Sequence, residues 1–200
     1  THTQKIKYLT NATNQNTMKP DTILVLDFGG QYCHLISRRI RENNVYSMVV
    51  SHDITINEIK AQKRQYNIKG LVLSGGPQSV YEKNAPKLNS KILELNLPVL
   101  GLCYGHQLIA QISGGTVLPA KKREYGTTYA AIDKSDEILK NLNEKEKVWM
   151  SHGDTVYKLS KEFEILAHTE NTPVAAFKHK EKPIYGLQWH PEVIHTENGM

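Results

Sequence analysis

The stretch Pro98–Leu102, followed directly by Cys103-Tyr104-Gly105, constrains this chain more than any other. Its apolar residues read as a short buried strand, and the residues through Ile112 read as a helix that begins at once. A strand that turns straight into a helix brings together the residues two before and two after the turn. Only small side chains avoid a clash there. Gly101 and Gly105 occupy those positions, in a Gly-x-Cys-x-Gly arrangement. Cys103 then stands strained and exposed at a helix N-terminus, whose partial positive charge favours a thiolate. The bland alternative is a small buried cysteine flanked by turn glycines.

Around this elbow, strands and helices alternate. Thr22–Asp27, Tyr46–Val50, Gly70–Leu73 and Pro98–Leu102 are short apolar runs that read as strands. Gln31–Asn43, Thr55–Gln65 and Pro86–Leu95 read as the helices between them, the last with proline at its first turn. The helix after the elbow stops at Gly114-Gly115. This order predicts an α/β fold with a mostly parallel sheet and helices on both faces. Thr128–Ile132, Lys147–Met150, Glu164–His168, Ala175–Lys178 and Ile184–Gln188 read as further strands, some antiparallel at a sheet edge. No linker interrupts the pattern, so residues 21–200 read as one domain. Residues 1–20 are rich in Thr, Asn and Gln and read as a disordered extension or a remnant outside the domain, with Met18 as a candidate start.

Bulk properties narrow the function. The 200 residues carry a formal net charge of +5, but the Lys and Arg are scattered and cluster tightly only at Lys121-Lys122-Arg123. That argues against a nucleic-acid surface. No apolar run of about 18 residues suggests a membrane span, and the N-terminus has no apolar signal core. The two cysteines, Cys33 and Cys103, share no metal-type spacing and suit a reducing, cytoplasmic compartment.

A thiolate nucleophile needs a base and a group to orient it. Gln188-Trp189-His190-Pro191-Glu192 supplies both. With Pro191 holding the segment extended, His190 and Glu192 point the same way, so Glu192 can take one ring N–H while the other nitrogen faces Cys103. The His-x-Glu pattern also occurs in zinc deaminases, but their Pro-Cys-x-x-Cys partner is missing here. His195 extends the pattern, yet Pro191 argues against a helical metal site, and no metal is expected. Acyl transfer also needs donors for a developing oxyanion. The N–H of Tyr104 is one, and the N–H of Gly76, in the Ser74-Gly75-Gly76-Pro77 turn, is the second. That turn also looks like an ATP-pyrophosphatase phosphate loop, but Gln78 stands where the loop has Asp.

Taken together, these motifs resemble the class I glutamine amidotransferases, and within them the branch that serves GMP synthetases. The resemblance runs from about Ile23 to Gly199. It is carried by Asp27-Phe28-Gly29-Gly30-Gln31-Tyr32, Leu73–Pro77, Gly101–Gln107, Arg123-Glu124-Tyr125-Gly126, Trp149–Asp154 and His190–Thr196. Trp189 replaces the usual Phe, and Gly30 replaces a frequent Ser.

The resemblance implies Cys103 as nucleophile, His190 as base, Glu192 as its orienter, and Gly76 and Tyr104 as the oxyanion hole. Gln107 and the loop Ser151-His152-Gly153-Asp154 would hold L-glutamine. For those residues the bland readings are a solvated helix residue and a simple turn with a capping Asp. Lys121, Arg123, Glu124 and Tyr125 would face a partner, an ATP pyrophosphatase (GMP synthetase) domain or subunit. ATP and Mg2+ would belong to that partner, and this chain would need no cofactor. His34, His52, His168 and His179 read as surface or packing residues, and Cys33 as core. His106, on a helix, should point away from Cys103. Two other readings remain. One is another class I amidotransferase, of the anthranilate or carbamoyl-phosphate type. The other is an inactive regulatory protein on the same fold.

Overall fold

The computed structural model describes residues 18–200. The expectation for residues 1–20 therefore lies almost wholly outside the described residues. From Asp21 onward the chain is strands β1 (Asp21–Asp27), β2 (Tyr46–Ser51), β3 (Asn67–Leu73), β4 (Val99–Leu102), β5 (Thr116–Ile132), β6 (Lys145–Lys158), β7 (Phe163–His168), β8 (Ala176–His179) and β9 (Ile184–Leu187). Helices α1 (Cys33–Glu42), α2 (Ile56–Gln62) and α3 (Tyr104–Ile112) join them.

One sheet takes all nine strands, in the order β2-β1-β3-β4-β9-β8-β7-β5-β6. From β2 to β9 the neighbours are parallel, and from β9 to β6 they are antiparallel. Strand alternation divides the core between the two faces. Leu24, Leu26, Leu71, Leu73 and Val99 point to one face, where Ile59 of α2 and Leu108 and Ile109 of α3 cover them. Val25, Val72 and Leu102 point to the other, against Cys33 and Ile36 of α1 and Val148 and Met150 of β6. The continuous apolar runs of the parallel strands are what burial on both faces requires.

Local chemistry sets the boundaries. Thr55 and Glu58 cap the start of α2 reciprocally, an arrangement worth about 1 kcal/mol. The helix expected over Pro86–Leu95 is instead a short 3-10 turn over Ser90–Glu94. Asn89 explains this, because its side chain accepts the Lys91 N–H and starts the turn four residues late. The Pro86 carbonyl meanwhile accepts the Tyr104 hydroxyl.

The larger difference is in the second half. β5 and β6 extend well beyond the expected Thr128–Ile132 and Lys147–Met150 and pair along most of their length. Ser151–Asp154, read as a loop, and Lys121–Gly126, left outside the expected strands, are strand residues. Both are polar, and Gly126 and Gly153 fall within them, so propensity alone argues against strand.

Candidate active site

The elbow forms as its spacing demands. β4 ends at Leu102, α3 begins at Tyr104, and Cys103 between them has φ 51° and ψ −103°. For a non-glycine residue this is strained by about 1–3 kcal/mol. The Cys103 N–H donates to Leu187 O at 2.9 Å, which pins the turn to β9. A Cβ on Gly101 would lie 2.5 Å from the Gly105 carbonyl carbon, and one on Gly105 would lie 2.5 Å from Leu73 O. Both positions thus exclude any side chain. Cys103 Sγ approaches Ser151 O at 3.7 Å.

His190 follows the end of β9. Its N–H donates to Trp149 O at 3.0 Å, and its carbonyl accepts the Thr196 hydroxyl at 2.6 Å. His190 Nδ1 donates to Glu192 Oε1 at 2.8 Å. This contact was expected from an extended strand, but β9 stops at Leu187 and Pro191-Glu192 form a turn. The turn is held by Arg39 Nε, which donates to Glu192 O at 2.9 Å. Gly75 lies against both the ring and the nucleophile: a Cβ there would sit 3.4 Å from His190 Cε1 and 3.6 Å from Cys103 Cβ. Burial alone would depress the His190 pKa, but the hydrogen bonds to Cys103 and Glu192 outweigh it and push it up to about 10. Both neighbours therefore favour the protonated form of the His190 ring.

A cavity of about 600 Å³ opens over Cys103 and His190, lined also by Gly76, Tyr104, Gln107 and Ser151–Asp154. Phe28–Tyr32, Ser74–Gly76, Cys103 and His190 all follow the C-terminal ends of parallel strands, where ligands bind in open α/β sheets.

Gln107 is buried rather than solvated, and its Nε2 donates to Asp154 O and Gln188 Oε1, both at 3.0 Å. His152 Nδ1 donates to the same Asp154 carbonyl at 2.8 Å. The Asp154 carboxylate accepts the Tyr81 hydroxyl at 2.9 Å. Tyr81 and Tyr32 also line the cavity. Tyr32 belongs to one of the recognised motifs without a role of its own, and no local pattern marks Tyr81.

The basic segment divides at Glu124. Lys121, Lys122 and Arg123 are exposed, as is Tyr125 at 65%. Glu124, grouped with them as partner-facing, is only 7% exposed and faces inward. His106 is fully buried on Phe177 with ring centroids 4.7 Å apart. Burial, then the neighbouring His152, drives its pKa down to about 3.

A cysteine elbow with a His–Glu pair over one cavity defines an α/β protein with the geometry for acyl transfer through a thiol. The profile of one family, glutamine amidotransferase class-I, matches residues 24–200, and the chain belongs to that family. It is 50% identical over 191 residues to a GMP synthase [glutamine-hydrolyzing] of Prochlorococcus marinus, covering 94% of this chain. A protein of the same name from Caldanaerobacter subterraneus is 51% identical over 91% of this chain. The chain spans about a third, 35%, of the length of either relative. A solved structure from Thermoplasma acidophilum, provisionally described as one of the subunits of a GMP synthase, superposes with a TM-score of 0.78 and is 34% identical. That match covers 90% of this chain and 88% of the other.

Proposed function

We propose that this chain hydrolyses L-glutamine to glutamate and ammonia through Cys103, His190 and Glu192. The ammonia passes to a GMP synthetase module, in the same chain or a separate one. The observation that carries the first part is the strained Cys103 at the head of α3, beside a His190 oriented by Glu192.

Each step follows from these residues. The thiolate attacks the side-chain carboxamide carbon, and the oxygen takes up charge opposite the N–H groups of Gly76 and Tyr104. His190 gives its proton to the departing nitrogen, and ammonia leaves behind a thioester. His190, now neutral, takes a proton from water as the water attacks the thioester carbonyl. The intermediate collapses, glutamate departs, and the proton on His190 restores the ion pair with the sulfur. Glu192 keeps the ring in one tautomer throughout. Gln107 and the Ser151–Asp154 strand hold the amino-acid end of the substrate.

The similarity to glutamine-hydrolysing GMP synthases over this region supports the second part. ATP, Mg2+ and XMP belong to the partner module. Lys121, Arg123 and Tyr125 are the surface offered to it, and the cytoplasm is where these substrates meet. The test is glutamate and ammonia release by the chain alone, then with a cognate synthetase module, ATP and XMP. Labelling by a glutamine-like electrophile should fall on Cys103. Labelling elsewhere, or no ammonia release in either condition, would refute the proposal.

A further inference from the structure

Behind the cavity wall lies a buried carboxylate, Glu124, that the steps above do not use. The Glu124 carboxylate accepts Thr169 Oγ1 at 2.9 and 3.0 Å, Thr172 Oγ1 at 2.5 Å and Asn171 Nδ2 at 3.3 Å. On its other side, His152 Nε2 lies 3.4 Å from Glu124 Oε2, off the line of a hydrogen bond but within ion-pair reach. Both side chains are almost wholly buried, at 2% and 6% exposure. Burying a carboxylate is costly unless partners satisfy it, so its presence between exposed neighbours asks for a role.

Two neighbours fix the orientation of the His152 ring. Asp154 O can only accept, so Nδ1 carries hydrogen. The Nε2 edge of the same ring is then the edge turned toward the buried Glu124 carboxylate.

The ladder shows where this pair acts. Between Pro119, opposite Asp154, and Glu124, opposite His152, residues 120–123 face Gly153 alone. Glu124 is the first paired residue after that break. β5 in turn meets β7 at only two positions, Ala131 and Ile132. By accepting the hydrogen bonds from Thr169, Asn171 and Thr172, Glu124 ties the start of the re-paired stretch of β5 to the turn after β7.

We propose that Glu124 is a positioning residue for the active site. Through His152 it fixes the Asp154 carbonyl and the Ser151–Asp154 wall against Cys103. That carbonyl also takes the Gln107 Nε2, so the contacts run from Thr172 through Glu124, His152 and Asp154 to the nucleophile's own helix. The proposal rests on the glutamine-hydrolysis reading of the site.

The test uses the whole chain with Glu124→Gln, which keeps size and removes charge. KM for glutamine should rise roughly 10-fold with kcat within about 3-fold, because the wall moves and the nucleophile does not. Alkylation of Cys103 by iodoacetamide, without glutamine, should stay within about 2-fold of wild type, since it does not read the wall. Thr172→Val should raise KM, and Thr172→Ser should restore it. These two carry the comparison if Glu124→Gln does not fold. The ring nitrogen NMR signals of His152 should differ between the wild type and Glu124→Gln. Wild-type KM in a folded Glu124→Gln, or unchanged His152 ring signals, would overturn the proposal. If the wild type releases no ammonia, the reading of the site fails instead, and the NMR comparison still decides the link between Glu124 and His152.

Discussion

The parallel and antiparallel halves of the sheet solve different problems. β1, β3, β4 and β9 are locked side by side and buried on both faces, and the segments after their C-terminal ends carry Cys103, His190 and Gly76. Chemistry that tolerates little displacement is thus mounted on the strands buried on both faces. β5 and β6 form a long ribbon joined to β7 by two residue pairs. The ribbon supplies the opposite wall of the cavity and the exposed basic residues beside it. Changes in the first half should abolish turnover, and changes in the second should alter how well substrate and partner are held.

The sharpest way to break this comparison is at the nucleophile. Cys103→Ala should lower glutamine turnover by roughly 10⁴-fold, as loss of a triad nucleophile does. Cys33→Ala, which deletes the other thiol from the core beneath α1, should leave turnover nearly intact, read by ammonia release. Full activity in the first variant would remove the parallel half from the chemistry. One level down, Glu192→Gln should retain about 10- to 100-fold more turnover than His190→Ala, because an orienting group costs less than the base it serves. Equal losses would mean that Glu192 itself moves protons.

The same division decided how much of the molecule was legible from sequence. The elbow could be read because its requirement is steric and local: two positions that exclude any Cβ surround one reactive residue. The parallel strands announce themselves as unbroken apolar runs. The His190–Glu192 contact was anticipated for the wrong reason, since a turn makes it and not a strand. The ribbon was half hidden because its strand character comes from pairing. Lys121-Lys122-Arg123 and Ser151-His152-Gly153-Asp154 have no apolar alternation to report. Glu124 looked like one more surface charge, and only its register opposite His152 turns it inward.

The two halves should also fail at opposite ends of the pH scale. Burial alone would raise the Glu124 pKa, but the contacts with His152, Thr172, Thr169 and Asn171 pull it down to about 2 from an ordinary value of 4.5. A depressed carboxylate stabilises the fold above 4.5 and loses that contribution as pH falls toward 2. His190 is raised instead, from 6.5 to about 10, so its contribution is full below 6.5 and lost as pH rises through about 10. Denaturant midpoints across this range should therefore separate the variants. The gap between wild type and Glu124→Gln should close on the acid side, and that between wild type and His190→Gln on the alkaline side. Gaps that close on the same side would contradict the assignment of one charged cluster to each half.

The smallest expected effect concerns the partner. Ammonia released without an acceptor is wasted, so an isolated chain should be a weak glutaminase that a synthetase module carrying ATP and XMP stimulates. The donor turn at Gly76 offers a physical route. A Cβ there would lie 2.7 Å from Phe28 O, so the turn packs tightly on the segment after β1, and small shifts in it misalign the oxyanion donors. A partner can improve that alignment only if it binds the aligned state more tightly than the misaligned one. Lys121 and Lys122 are exposed on the stretch of β5 that lacks one-to-one pairing with β6, and they take no part in the proposed chemistry. Replacing both with Ala should leave the basal rate unchanged. Stimulation should then need roughly 3- to 10-fold more synthetase module, and its salt dependence should weaken, because rim charges act mainly on encounter. Titrating the module against ammonia release at two salt concentrations reads both quantities. An unchanged titration curve would move the docking surface elsewhere, and a lower basal rate would mean that this stretch of the ribbon reaches into the site itself.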